Sequence, residues 1–337
     1  MPSPSGSRTS ASASATASAS ASASASATVA LTLGLALALA GCSAAAVPSP
    51  DVPRLASFDS GEPRSWVLPL QAYLPTDQEM GQLSQAKKIL VGDCMKGFGF
   101  SWTPAPELPR IGPKTLTDWR YGIHDMALAK ERGYKVDAAE QEAYDAAFAK
   151  SVDDGTGAAD GPEVRALEGG SREVEGKKVP EGGCVGEANR GIDADAVQAR
   201  GALGLANAAF MKSQQTPEVV KAFAEWSACM KRSGYHYKAP LDASDDSKFS
   251  APEVTAEEIA TATADITCRE RTRVAWIWFQ AEYALQKRAL EEHAEDLSAE
   301  RGRIDAAVRK AAQVVTGTEA GTAGSADGAD GADGAGR

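Results

Sequence analysis

The chain has 337 residues, 43% of them hydrophobic and 24% charged, enough for one large or two small domains once low-complexity ends are set aside. Asp and Glu number 46 against 35 Lys and Arg, a formal net charge of −11. So acidic a surface disfavours nucleic acid and anionic lipid headgroups as partners.

Residues 1–28 are almost entirely Ser, Ala and Thr with one cation, Arg8, a low-complexity leader. From Val29 to Ala40 the chain turns apolar, a run of signal-peptide length and too short to span a bilayer. It ends at Leu39-Ala40-Gly41-Cys42, which resembles the lipobox of bacterial prolipoproteins. Small residues there let a peptidase reach the backbone, and the thiol is the group that accepts a diacylglyceryl chain. Lipidation is therefore expected on Cys42, with the membrane as a partner through that lipid and the folded part on the outer face of the cell membrane. The other reading is an ordinary signal peptide with a chance cysteine.

Five segments are expected. Residues 1–41 form the signal peptide, and 42–65 a flexible lipid-anchored tether beginning in small residues and proline. A first helical half with a long polar loop follows at 66–214, then a second with a long C-terminal helix at 215–314. The Gly, Ala and Asp of 315–337 bury too little apolar surface to fold. The fold class is mainly α, a disulfide-stapled helical domain with short extended segments after two Gly-capped helices.

In chain order, Thr76-Asp77 opens a helix that turns Met80, Leu83, Leu90 and Cys94 inward. Asp125 to Arg132, closed by Gly133, reads as a short helix, and Asp137 to Glu140 as a capping box leading to Tyr144, Ala147 and Phe148. Residues 152–183 read as a long exposed loop, and the Ala-rich stretch 187–212 as helix. Thr216-Pro217-Glu218 starts a helix carrying Val219, Phe223, Trp226 and Met230 on one face. Thr255-x-x-Glu258 begins a stretch without proline that reads as helical to Val315, with Trp276, Phe279, Tyr283 and Leu290 as core. The Trp226 face is expected to pack against Trp276, Phe279 and Tyr283. Past Leu290 only Leu297, Ile304 and Ala311 recur every seventh residue among charges, so that end is expected to be solvated.

Apart from Cys42, four cysteines remain: Cys94, Cys184, Cys229 and Cys268. An even number in an exported chain argues for two disulfides, and no C-x-x-C spacing suggests zinc. The pattern C-M-K-x-x-G-aromatic-x-aromatic occurs twice, at Cys94 to Trp102 and at Cys229 to Tyr237, and a later cysteine follows each copy. Matched closure pairs Cys94 with Cys184 and Cys229 with Cys268, while the two repeat cysteines pairing with each other is the alternative.

The lipobox, the repeated motif and the helix from Glu257-Glu258-Ile259 through Cys268-Arg269 to Trp276-Ile277-Trp278-Phe279 together resemble lipoproteins of Streptomyces-like actinobacteria, over most of residues 75–290. No activity attaches to that group. The resemblance implies the compartment and the fold only, and lipoproteins of this kind are associated with export-transporter systems.

Catalytic motifs are hard to find. His124, His236 and His293 are scattered, and no H-E-x-x-H, G-x-S-x-G or Gly-rich phosphate loop occurs. Ser84-x-x-Lys87 matches one box of the penicillin-recognising enzymes without the other two, and reads as the wet face of a helix. Asp242, Ser244, Asp246 and Glu253 sit at calcium-loop spacing, but Ser247 replaces the required glycine and Pro252 interrupts the exit, so they read as a polar connector. Neither a metal nor a cofactor is expected. The expected function is that of a lipid-anchored accessory or binding protein with a protein partner at the membrane; the alternative is a cell-wall-directed hydrolase with a dispersed carboxylate site.

Overall fold

The computed structural model describes residues 50–153 and 161–326, so Cys42, the leader and the end of the tail lie outside the described residues. The architecture is mainly α, as the sequence implies. The helices are α1 (Asp77–Phe98), α2 (Met126–Arg132), α3 (Ala138–Asp153), α4 (Pro162–Glu168), α5 (Gly183–Gly191), α6 (Arg200–Ser213), α7 (Pro217–Arg232), α8 (Pro240–Ser244), α9 (Ala256–Thr272), α10 (Val274–Glu292) and α11 (Ala294–Ala326). Among the described residues the strands are a minimal antiparallel pair, β1 (Glu173–Val174) and β2 (Lys177–Lys178).

Local chemistry sets the helix starts. Thr76 accepts from Glu79 N–H at 3.2 Å while Glu79 Oε2 accepts from Thr76 N–H at 2.7 Å, a complete capping box. Asp125 receives the Ala127 and Leu128 N–H groups, and Thr255 that of Glu258.

The repeated motif is a repeated structure. Gly99 and Gly234 take φ of 90° and 91°, a left-handed turn that only glycine adopts without strain. In each copy the residue after that glycine donates its N–H to the methionine carbonyl, Phe100 to Met95 and Tyr235 to Met230, both at 3.0 Å. The alternate aromatics Phe100 and Trp102 then fold back on the cluster around Cys94 and Cys184, and Tyr235 and Tyr237 on that around Cys229 and Cys268.

Both cysteine pairs close as the matched reading expects. Cys94–Cys184 ties α1 to α5 and Cys229–Cys268 ties α7 to α9, each with Cα atoms 5.6 Å apart. The halves expected at 66–214 and 215–314 pack into one unit, with α1 along α11 and α6 and α7 against α10.

Several expectations are corrected. The single helix from Thr255 to Val315 is three helices, broken at Arg273 in a left-handed conformation (φ 53°) and again at His293. Its end is not solvated: Leu297, Ile304 and Ala311 are buried against α1, α6 and the Pro69–Tyr73 turn. Ala307 and Val308 of the same helix join these clusters, so its buried face is wider than one apolar residue per heptad. Helix α11 also continues past Thr316 to Ala326.

Residues 161–183 hold α4 and the β-hairpin, with Ala166, Val174 and Val179 buried, because the first disulfide pulls this stretch onto α1. The Ala-rich stretch is interrupted between α5 and α6, where Asp193 and Ala199 take positive φ. Met80 and Phe148 are exposed.

The largest departure lies in the segment expected as tether. From Leu55 onward it is a strap lying across α10: Phe58 and Trp66 pack on Phe279, the latter stacked at 4.7 Å, and Tyr283 donates its hydroxyl to the Pro53 carbonyl at 2.6 Å. Of the face expected to pack against Trp276, Phe279 and Tyr283, Val219 and Phe223 do join that cluster, while Trp226 itself does not. It sits with the second disulfide and donates its indole N–H to Asp265 at 2.9 Å, while strap aromatics fill the place assigned to it.

Candidate ligand-binding site

Beneath the candidate site lies a network of buried charge. Glu282 on α10 is fully buried and receives Arg120 Nη2 at 2.7 Å, the Tyr121 hydroxyl at 2.8 Å and Gln286 Nε2 at 2.8 Å. On α9, Asp265 receives Arg269 Nε at 2.7 Å and the Trp226 indole. Arg269 also donates to the Pro240 carbonyl at 2.7 Å and to the Tyr121 carbonyl, so Tyr121 joins the two ion pairs. Burial pushes the Tyr121 phenol well above its ordinary range, with Glu282 adding to the shift. Burial also raises the Asp265 carboxyl, against the pull of Arg269. Removing one partner of such a pair strands a charge, so these residues hold the framework.

Gly122 (φ 103°) makes the arrangement possible. A side chain there would overlap the Arg269 guanidinium, so only glycine lets that group reach the Tyr121 carbonyl.

Against this framework three segments converge on a cavity of about 340 Å3: the strap from Ser60 to Trp66, the loop Tyr121–His124, and the α9–α10 junction from Arg269 to Trp276. Its wall is apolar. Trp66 is buried with its indole N–H on the Asp59 carbonyl at 2.7 Å, Ile123 and Ile266 are buried beside it, and Trp276 stands half-buried with its ring 5.3 Å from that of Trp66.

Its rim is polar. His124 is held by Nε2 on Asp118 Oδ1 at 2.6 Å, leaving one ring nitrogen for other partners. Burial raises the Asp118 carboxyl, but the Lys114 N–H, His124 and Arg64 outweigh it and hold the group below its ordinary range. Glu270 and Arg273 are exposed, and neither side chain is in an ion pair among the described residues. Arg273 occupies the left-handed region that costs an ordinary side chain about 1–2 kcal/mol. The conformation also makes Arg273 the C-cap of α9, its N–H donating to the Glu270 carbonyl at 3.4 Å.

The sequence singled out few of these residues. It treated His124 as incidental and Trp276 as core, and offered no signal for Asp118 or Arg273, since a left-handed arginine has no composition marker. Among the other candidates, His236 and His293 are exposed and distant from this cavity. Ser84 and Lys87 face an open groove between α1 and α5, with Ser84 donating to Glu107 at 3.4 Å. Asp242 and Asp246 cap local backbone N–H groups, which is what places them. No protein-family model, curated protein or solved structure matches this chain.

Proposed function

We propose that the protein is a lipid-anchored extracytoplasmic binding protein that holds a small amphipathic ligand between Trp66, Trp276 and the α9–α10 junction, and serves a partner in the membrane. The observation that carries the binding reading is the cavity itself: concave, walled by indole and isoleucine, with few polar groups at its rim and of a size suited to a small molecule. The anchor rests on the Leu39 to Cys42 motif. In the sequence ten residues separate Cys42 from Pro53, whose carbonyl accepts the Tyr283 hydroxyl.

Two measurements test the two parts. Metabolic fatty-acid labelling should mark the wild type and not Cys42→Ser; equal labelling of both removes the anchor. Indole resonances of Trp66 and Trp276 should shift with small amphipathic probes while that of Trp226 stays put, and uniform or absent shifts remove the cavity.

The alternative, a cell-wall-directed hydrolase, draws support from His124 and its Asp118 partner on the same cavity as Ser60. Fluorophosphonate labelling of Ser60, lost in His124→Ala, would establish it in place of binding. A two-carboxylate mechanism needs paired acids, and Glu270 is the one carboxylate on this wall.

A further inference from the structure

The rim narrows the ligand class. Arg269 lines the cavity but is already spent, its guanidinium bonded to Asp265, Pro240 and Tyr121 and its charge neutralised by Asp265. The one free cation on the wall among the described residues is Arg273, at the junction where α10 begins. Its planar fork matches a carboxylate in a two-bond geometry that an ammonium group cannot reproduce. The first turn of α10 carries no acid and its N-cap gives no side-chain acceptor, so within α10 no carboxylate competes for that positive end. The half-buried face of Trp276, tilted against Trp66, is flat apolar surface next to that cation.

We infer that the cavity takes a small organic carboxylate with an aryl-sized apolar body, its carboxylate on Arg273 and its body against Trp66 and Trp276. This rests on the cavity being the binding site. Glu270, one helical turn before Arg273, opposes the anion and tunes affinity downward.

The test uses the full chain in detergent and three fluorinated probes followed by fluorine line broadening: 4-fluorophenylacetate, its neutral amide, and 4-fluorobenzylamine. The acid should bind and the other two should not. Arg273→Gln should weaken the acid roughly tenfold, as expected for a charged hydrogen-bonded pair, Trp276→Ala should weaken it comparably, and Glu270→Gln should strengthen it. Arg273→Gly guards against misfolding, because it removes the cation while relieving the left-handed backbone, so binding should fall as thermal stability holds or rises. Binding of the amine or amide that depends on Trp276 but not on Arg273 would overturn the carboxylate and leave the cavity as the site. No broadening by any probe, or broadening unaffected by Trp276→Ala, would overturn both.

Discussion

Two tryptophans two residues apart on α10 should behave very differently when removed. Trp278 is 1% exposed, stacked 5.2 Å from Phe210, edge-on to Phe223 and Tyr121, with its indole N–H on Ser213 Oγ at 2.8 Å. Trp278→Ala leaves a cavity among rings that α6, α7 and the Tyr121 loop hold in place. Such truncations cost about 3–5 kcal/mol, and the hydrogen bond lost from Ser213 adds about 1 kcal/mol. Trp276 is half-buried on the cavity wall. A tryptophan buries about 150–250 Å2 when fully enclosed, so at about 25 cal/mol per Å2 and half that area, Trp276→Ala costs roughly 2 kcal/mol. The gap of about 2–4 kcal/mol corresponds to roughly 1 M in urea midpoint for an m-value near 3 kcal/mol/M. The assay is urea unfolding with disulfides intact, followed by far-UV circular dichroism, with equal m-values checked first. A Trp276→Ala midpoint as low as that of Trp278→Ala would refute the assignment of Trp278 to the core and Trp276 to the binding wall.

Three other outcomes follow from the packing. Leu297→Ala, in a stretch that reads as solvated, should cost about 2–5 kcal/mol in the same unfolding assay, because Leu297 is 2% exposed; a near-neutral result would mean α11 is not docked. Replacing Cys229 and Cys268 together by serine should cost about 4 kcal/mol for a 39-residue separation, and the Cys94–Cys184 pair slightly more for its separation of 90, measured as melting-temperature losses; no loss would mean the crosslinks do not restrain the unfolded chain. Asp118 is held below its ordinary value of 3.8, so its stabilising contribution is present above that pH and lost as pH falls through the depressed value; Asp118→Asn should flatten stability below about pH 4, and an unchanged acid limb in chemical unfolding would refute this.

Where local chemistry decides the structure, the sequence reads correctly. The caps at Thr76, Asp125 and Thr255 satisfy backbone groups within three residues of themselves, and the repeated glycine turn satisfies the methionine carbonyls of its own helix. The disulfide pairing follows because each repeat carries its own aromatic cluster, which the second cysteine joins. The break at Arg273 has no such marker. Neither glycine, proline nor asparagine stands there, and the turn is set by burying Val274, Trp278 and Phe279 on one side while Cys268 and Arg269 are fixed on the other. The cavity is illegible for the same reason, since its strap, loop and helix junction meet only in the tertiary fold.

Charges on α11 show why a polar face need not be a wet one. Glu300 and Arg301 stand beside the heptad positions and read as solvent-facing, yet both are 9% exposed. Helix α6 starts at Arg200 after Ala199, which has no side-chain acceptor, and its Gly201 and Ala202 N–H groups end on the two Glu300 carboxylate oxygens at 2.9 Å each. Arg301 does the converse, donating to the Leu74 carbonyl at 2.9 Å and to Glu79 and Asp305 around it. The charged pair is thus the capping chemistry of distant elements, borrowed across the fold. It docks α11 where the heptad reading alone, at one apolar residue in seven, gives no sign of a buried face. A helix end without its own cap is accordingly a reason to look for an acid elsewhere in the chain, and Glu300 supplies one for α6.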